Sequence, residues 1–372
     1  QTSVEAFGET LVLTEGTDLV VSSFEVRLHQ QDAYLDNIVL SGGPFVFIHN
    51  LQNGHLQNTT DLLVLAHAAN LEADWGVQFA LEDKTTNNRQ TFDDFDAPYQ
   101  HTLNTTNNGV TYGDYIVEAV VIDLNSDPVS GTFAEDIRDP VGIGDTYVAF
   151  GDSISKGVGD DIVTDNISLD LRINDGGYSA ILSDALTAET GYPNAVVRGG
   201  EGGDQSIDGL ARLPGLLSAY PYSQYYLVLF GTNDTRRSMP IPSGLDDNGN
   251  LLDPTDPDYP GTYLDNMQQI IDLLVENGKT PILSLVPITL GVCSDCEQFP
   301  DPDTADRNKK IQDINKVIRE LVKDNGITVT PPDFYTYFRN NQDQFTDNLH
   351  PNGVGYQNMA DLWFQALTAP AP

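Results

Sequence analysis

The residue types that serve acyl transfer occur in four short polar segments of the second half of the chain. They are Gly151-Asp152-Ser153, the run RGGEGG at 198–203, Gly231-Thr232-Asn233-Asp234 and Asp347-Asn348-Leu349-His350. A serine hydroxyl is a weak nucleophile until a neighbouring base takes its proton. Histidine suits that task because its unperturbed pKa is about 6.5. The segments therefore predict Ser–His chemistry, provided that the fold brings them together.

His350 is the natural candidate for the base because it is the only histidine after residue 146. Asp347 precedes it by three residues, a spacing that lets its carboxylate accept a hydrogen bond from the far ring nitrogen. Taken alone, Ser153 would be interpreted as a helix N-cap and Asp347 as an ordinary loop carboxylate. The complete set favours Ser153 as nucleophile, His350 as general base and Asp347 as the group that orients the imidazole.

A tetrahedral intermediate also needs hydrogen-bond donors for its oxyanion. Gly200 offers a backbone N–H with no side chain in the way, and Asn233 offers its side-chain amide. Ser153 offers its own backbone N–H. We interpret Asp152 as a structural residue that braces the loop around Ser153.

The elements that must position these residues alternate between strands and helices. Apolar strands are predicted at 146–150, 195–197, 225–230, 282–286 and 327–329, and helices at 179–189, 207–217, 263–275, 311–322 and 356–367. Five such strands predict a parallel sheet that is covered on both faces. Functional residues of these sheets gather at the carboxyl ends of the strands, where the polar segments lie.

The first part of the chain has a different pattern. Short apolar or alternating runs separated by turn residues predict strands at 19–28, 37–40, 45–49, 62–66, 75–81 and 115–122. This pattern favours an antiparallel β-sandwich of immunoglobulin-like size. The stretches WGVQFALED, APYQHTLNTTNNG and YGDYIVEAVVID resemble bacterial immunoglobulin-like modules of secreted enzymes. We predict an accessory domain at 1–139, a linker at 140–145 and a catalytic domain at 146–372.

The segments VAFGDSIS, VVRGGEGGDQS, LVLFGTND and DNLHPNGVGY resemble the four sequence blocks of the SGNH (GDSL-type) hydrolase superfamily, in the correct order, over about residues 146–368. The resemblance implies a flavodoxin-like fold with a Ser153, Asp347 and His350 triad and an oxyanion hole of Ser153, Gly200 and Asn233. It also implies that no cofactor is needed. Two positions depart from the pattern, since Ile154 replaces a frequent Leu and Arg198 replaces a usual Asn. An α/β-hydrolase elbow does not fit, because Ser155 occupies the last position of G-x-S-x-G.

Charge limits the partners. Fifty-five Asp and Glu against 18 Lys and Arg give a net charge of −37, which disfavours nucleic acid and anionic membranes. No stretch approaches the ~18 apolar residues of a membrane span. Such acidity is typical of a marine or halophilic source or of an ordinary soluble extracellular protein. A first residue other than Met is consistent with a processed, secreted chain.

Cys293 and Cys296 form a C-x-x-C pair in an acidic, Pro-rich loop. A zinc ribbon would need a second such pair, so we favour a small structural disulfide over free thiols. The Asp- and Asn-rich inserts at 157–176 and 238–263 allow structural Ca²⁺, although they lack EF-hand spacing. Arg236 and Arg237 are expected to pair with local carboxylates, with an anionic substrate group as the alternative.

Together these observations predict hydrolysis of a small-molecule or glycan ester through an acyl-enzyme. We expect a short-acyl or carbohydrate O-acyl substrate, and the β-rich part could contact glycan or a cell surface. One alternative is a lipase or thioesterase that acts on longer acyl chains, although no long apolar lid is evident. The other is a binding or adhesion protein that has lost activity on the same fold.

Overall fold

The computed structural model describes residues 2–6, 9–13, 43–57, 61–104, 111–131, 134–236, 238–290 and 304–369. The strands predicted at 19–28 and 37–40 lie outside these residues, as do the cysteine pair Cys293 and Cys296 and Arg237. The disulfide therefore stays a prediction.

Ten strands are described before residue 144. They are β1 (Thr2–Ala6), β2 (Glu9–Leu13), β3 (Phe45–Ile48), β4 (Leu56–Gln57), β5 (Asp61–Ala69), β6 (Gly76–Asp83), β7 (Arg89–Asp94), β8 (Gln100–Asn104), β9 (Gly113–Ile122) and β10 (Glu135–Ile143). Within the described residues, β1 and β2 form an antiparallel pair, three strands form a sheet in the order β3-β5-β8, and five form a sheet in the order β4-β10-β9-β6-β7. The strands predicted at 45–49, 62–66, 75–81 and 115–122 are confirmed.

The two larger sheets share one hydrophobic core. Val46 and Val64 of the three-stranded sheet belong to the same buried cluster as Phe79, Val117 and Val141 of the five-stranded sheet. Strand side chains point alternately to opposite faces, so the alternating apolar residues found in the sequence supply this core. Strand β7 was not predicted from the sequence because it is an edge strand with no buried residue and hence no apolar alternation.

The residues predicted as a linker, 140–145, belong to paired strands. Strand β10 runs to Ile143 and pairs with β9 and β4, and the next strand starts at Asp145. Only Gly144 separates the two strands. A Cβ at Gly144 would collide with the backbone of Pro193, so the chain passes close to the second half of the molecule here. The domain division itself stays a prediction.

The second half alternates strands and helices. Its elements are β11 (Asp145–Gly151), α1 (Ser179–Thr190), β12 (Asn194–Arg198), α2 (Ser206–Ala219), β13 (Tyr225–Leu229), α3 (Tyr263–Glu276), β14 (Thr280–Leu283), α4 (Thr304–Asp324), α5 (Phe334–Asn340) and α6 (Gly353–Thr368), with 3₁₀ turns at Val163–Asp165 and Gln342–Gln344. The strands form a parallel sheet in the order β12-β11-β13-β14. Every residue of the central strand β11 is buried, as expected for a sheet covered on both faces.

Helices pack around this sheet with apolar faces. Helix α3 buries Met267, Ile270 and Leu274 at helical spacing, and it contacts both α2 and α4. Helix α1 packs against α6, which contributes the fully buried Trp363 to the same core. The predicted α/β architecture is therefore confirmed.

The prediction of a fifth parallel strand at 327–329 is wrong. Four parallel strands are described, and residues 327–329 form no strand. Instead, Leu285 makes a single parallel bridge to Asp333, with its N–H donating to the Pro332 carbonyl at 3.1 Å. Pro331 and Pro332 have no backbone N–H, so they cannot extend the ladder.

Candidate active site

The turn after β11 holds Ser153 in a fixed position. The Asp152 carboxylate accepts the N–H of Ile154 at 2.9 Å, and the Asp152 carbonyl accepts the N–H of Lys156 at 3.0 Å. The Ser153 carbonyl accepts the N–H of Val158 at 3.0 Å. These turns do not continue into an α-helix, so Ser153 is not an N-cap.

His350 lies beside Ser153 although 197 residues separate them in the chain. Ser153 Oγ lies 2.9 Å from His350 Nε2, and His350 Nδ1 lies 2.8 Å from Asp347 Oδ2. The serine and histidine side chains are largely buried, each residue being 8% exposed. The structure thus brings together the three residues of the predicted triad.

Asp347 is held in place by its own loop. Its Oδ1 atom accepts the backbone N–H groups of Leu349 at 2.6 Å and His350 at 2.7 Å, which leaves Oδ2 for the imidazole. Burial by itself would raise the pKa of this carboxyl group. The hydrogen bonds from His350 and Leu349 outweigh burial and lower the Asp347 pKa from its ordinary value. Asp347 is therefore kept as a charged acceptor facing the ring.

Gly200 packs directly against the Ser153 turn. A Cβ at this position would lie 2.6 Å from the Ser155 carbonyl carbon and 2.7 Å from the Asp152 carbonyl oxygen. The close approach requires glycine. By contrast, a Cβ at Gly202 or Gly203 would meet nothing within 4 Å, so Gly200 is the glycine of this loop that touches the turn.

Asn233 follows β13 and connects the other two loops. Its side-chain amide donates to the Asp204 carbonyl at 3.0 Å and lies 3.4 Å from Asp152 Oδ2. The Asn233 carbonyl accepts from the Gln205 side chain at 3.0 Å. The segments that follow β11, β12 and β13 are therefore linked through Asn233.

The role of Arg212, which lies on α2, could not be predicted from the sequence. Its guanidinium donates to the Gly199 carbonyl at 2.6 Å and to the Gly151 carbonyl at 2.7 Å, and its Nε donates to Asp204 at 2.6 Å. It therefore ties the ends of β11 and β12 together. Its main partners are backbone carbonyls, which leave no residue pattern to recognise.

Two buried carboxyl groups lie beneath the site. Asp152 and Asp234 are both 0% exposed. Burial raises the pKa of Asp152 to about 7 and the pKa of Asp234 to about 6. Asp234 accepts hydrogen bonds from the backbone and hydroxyl of Ser206 at the start of α2. Asp152 thus braces the loop, as expected.

A comparison with family models matches residues 149–357, more than half of the chain, to the GDSL-like lipase/acylhydrolase family. The chain belongs to the GDSL-like lipase/acylhydrolase family. It is a carboxylic ester hydrolase of this type. A comparison with curated proteins finds no match.

Solved structures give more distant similarities. One is a psychrotrophic esterase, EstA, from Pseudoalteromonas sp., with 16% identity and a TM-score of 0.42, covering 60% of this chain and 97% of that one. Another is the catalytic domain of Streptococcus pneumoniae peptidoglycan O-acetyltransferase A, with 13% identity and a TM-score of 0.32. The match covers 60% of this chain and 92% of that one. A carbohydrate esterase has 13% identity and a TM-score of 0.31, and the match covers 87% of this chain and 97% of that one.

Two arginines of this GDSL-like hydrolase have partners that the sequence did not specify. Arg198, which replaces the usual Asn, forms a salt bridge with Asp175 at 3.2 Å. Arg236 donates to the backbone carbonyls of Asn233 and Gly203. The Arg236 charge also opposes the rise in pKa that burial causes at the carboxyl groups of Asp152 and Asp234, and its expected pairing with local carboxylates stays a prediction.

In the Asp-rich insert of the hydrolase, a carboxylate accepts hydrogen bonds from backbone N–H groups of the same loop. Asp246 accepts the N–H groups of Asn248 at 2.9 Å and Asn250 at 2.7 Å.

Across the described residues, no group of three or more His, Cys, Asp or Glu is arranged to hold a metal ion. Among the same residues, no helix is both long and apolar enough to cross a membrane.

Proposed function

We propose that this hydrolase cleaves carboxylic esters through an acyl-enzyme on Ser153. His350 Nε2 takes the Ser153 proton as Oγ attacks the ester carbonyl, and the imidazolium then donates that proton to the departing alcohol. A water molecule then gives a proton to His350 as it attacks the acyl-enzyme. The imidazolium returns this proton to Ser153 Oγ as the acyl–oxygen bond breaks, which releases the acid and restores Ser153. Asp347 orients the ring and stabilises its charged form.

The observation that carries this proposal is the continuous chain of contacts from Ser153 Oγ through His350 to Asp347, at 2.9 and 2.8 Å. Both distances lie within the range for proton transfer between a nucleophile and its base. The lowered pKa of Asp347 supports its role as an ionised partner.

The oxyanion that forms during attack would be stabilised by Gly200, Asn233 and the N–H of Ser153. The contact of Gly200 with the Ser153 turn and the anchored amide of Asn233 support this assignment. Donors that are fixed before the reaction cost no reorganisation when charge develops.

For the substrate, we propose a short-acyl or carbohydrate O-acyl ester. Lys156 and Glu201 form an exposed salt bridge at 2.9 Å next to the Ser153 turn, and this polar rim suits a hydrophilic ester better than a long acyl chain. A lipase or thioesterase is the alternative.

We also propose that the chain is secreted and that residues 1–139 form an accessory sandwich domain.

The test is hydrolysis of p-nitrophenyl acetate by wild type and Ser153→Ala. We expect the substitution to abolish turnover, and retained turnover would overturn the assignment of Ser153. A series of p-nitrophenyl esters from acetyl to palmitoyl, together with acetylated xylose and glucose, then separates the substrate classes. Highest kcat/KM on palmitate would favour the lipase alternative, and no turnover of any ester would favour the inactive binding protein.

A further inference from the structure

The segment that follows β14, residues 284–290, contacts the loop that carries the catalytic histidine. We call residues 347–350 the triad loop. The Thr289 hydroxyl donates to the Asn348 carbonyl at 2.9 Å, and the N–H of Leu290 donates to the same carbonyl at 2.8 Å. Thr289 is 1% exposed, so water does not compete for its hydroxyl. Two adjacent donors therefore hold a peptide bond in the middle of the triad loop.

Helix α4 fixes this segment through two asparagine side chains. Asn308 binds both backbone groups of Thr289, because its Oδ1 accepts the N–H at 2.9 Å and its Nδ2 donates to the carbonyl at 2.8 Å. Asn315 binds Val286 in the same way, at 2.7 and 3.0 Å. The two asparagines are seven residues apart and so lie on one face of α4. Their amides supply hydrogen-bond partners of the kind that a neighbouring strand supplies.

The triad loop is rigid within itself, so its position relative to the nucleophile is set by outside contacts. Asp347 Oδ1 accepts the N–H groups of Leu349 and His350, which makes these residues move together. A displaced Asn348 carbonyl would therefore shift His350 Nε2 away from Ser153 Oγ, which lies 2.9 Å from it. A misplacement of about 1 Å can cost roughly 100-fold in rate. The anchor on the Asn348 carbonyl should thus affect the chemical step.

We propose that Thr289 is a positioning residue for ester hydrolysis and that Asn308 holds it in place. Thr289 acts through the Asn348 carbonyl, which sets the distance between His350 and Ser153. This inference rests on the proposed acyl-enzyme function and extends it to helix α4. The extension is that an amide on this helix helps to fix the general base.

The experiment compares full-length Thr289→Val, Thr289→Ser and Ser284→Ala with the wild type in steady-state hydrolysis of p-nitrophenyl acetate. Valine is close to threonine in shape and lacks the hydroxyl donor, whereas serine keeps it. Ser284→Ala is the matched control, because Ser284 is also 1% exposed and donates to the Val228 carbonyl of β13 at 3.3 Å instead of to the triad loop. Thermal unfolding of each variant checks that it is folded.

We expect Thr289→Val to lower kcat about tenfold and to change KM less than about twofold, because substrate binds normally while the base is misplaced. Thr289→Ser and Ser284→Ala should keep kcat within about twofold of the wild type. A wild-type kcat in Thr289→Val would overturn the proposal, and so would an equal loss in Ser284→Ala. If Thr289→Val does not fold, Asn308→Asp decides by the same criterion, since it loses the donor to the Thr289 carbonyl.

A double-mutant cycle separates positioning of the base from general damage to the site. Fluorophosphonate labelling of Ser153 is timed for Thr289→Val with and without His350→Ala. Thr289→Val should slow labelling about tenfold when His350 is present and less than about twofold when it is absent, because Thr289 acts through the histidine. Equal slowing in both backgrounds would overturn the proposal. Failure of the proposed function is a different result, namely turnover retained by Ser153→Ala.

Discussion

Replacing the buried carboxyl group of Asp152 by an amide, in Asp152→Asn, should make the protein more stable at neutral pH. The Asn oxygen can still accept the N–H of Ile154, which the Asp152 carboxylate accepts at 2.9 Å. The amide cannot ionise, so it avoids the cost of a charge in a fully buried position. Below about pH 4, where both side chains are neutral, the two proteins should have nearly equal stability.

The size of the effect follows from the raised pKa of Asp152. Between pH 3.8 and about 7 the unfolded chain has lost this proton while the folded protein retains it. Stability of the wild type therefore falls as pH rises through this window. At about 1.4 kcal/mol for each pH unit, the full window corresponds to roughly 4 kcal/mol. Burial is the main cause of the raised pKa, and repulsion from Asp234 adds to it. We therefore expect Asp152→Asn to gain about 2–4 kcal/mol between pH 4 and pH 7.5.

The assay is urea unfolding of both proteins at half-unit steps from pH 4 to pH 8, with the difference in unfolding free energy plotted against pH. The difference should rise through the window and level off above pH 7. Asp258→Asn is the control, because this carboxylate is exposed and should give a nearly flat plot. A flat plot for Asp152→Asn would refute the reasoning, since Asp152 would then ionise equally easily in the folded and unfolded chain.

Three further substitutions test the arrangement around the nucleophile. Gly200→Ala should lower kcat at least about 100-fold, because its Cβ would displace the Ser153 turn. Gly202→Ala is the control, since its Cβ would meet nothing within 4 Å, and its kcat should be near that of the wild type. Equal rates for the two variants would rule out Gly200 as part of the oxyanion hole. Asp347→Asn should reduce kcat by about 10³–10⁴-fold in steady-state assays, because an amide facing the ring favours the wrong tautomer, and a loss below tenfold would remove Asp347 from the mechanism. Arg212→Lys cannot hold the ends of β11 and β12 at once, so we expect kcat to fall about tenfold with KM little changed; a change confined to KM would show that the residue acts on substrate binding instead.

The order of the elements in the second half could be predicted because each strand and helix has its own apolar period. Helix α3 buries residues at helical spacing, and β11 is a short apolar run. The parallel arrangement then required the polar segments to meet at one edge. Ser153 and His350 could be paired from sequence for the further reason that no other histidine follows residue 146.

Other features could not be predicted because they depend on backbone geometry and tertiary contact. The prediction of a fifth strand was wrong because Pro331 and Pro332 have no backbone N–H to donate. Only the single bridge between Leu285 and Asp333 forms there. Arg212 acts through carbonyl oxygens that every residue possesses.

The central claim is that His350 activates Ser153 as a nucleophile. The most direct measurement is intact and peptide mass spectrometry after reaction with a fluorophosphonate, using wild type, Ser153→Ala and His350→Ala. We predict a single adduct on Ser153 in the wild type, no adduct in Ser153→Ala, and labelling of His350→Ala slowed at least about 100-fold. An adduct on another residue, or equally fast labelling of Ser153 without His350, would contradict the account.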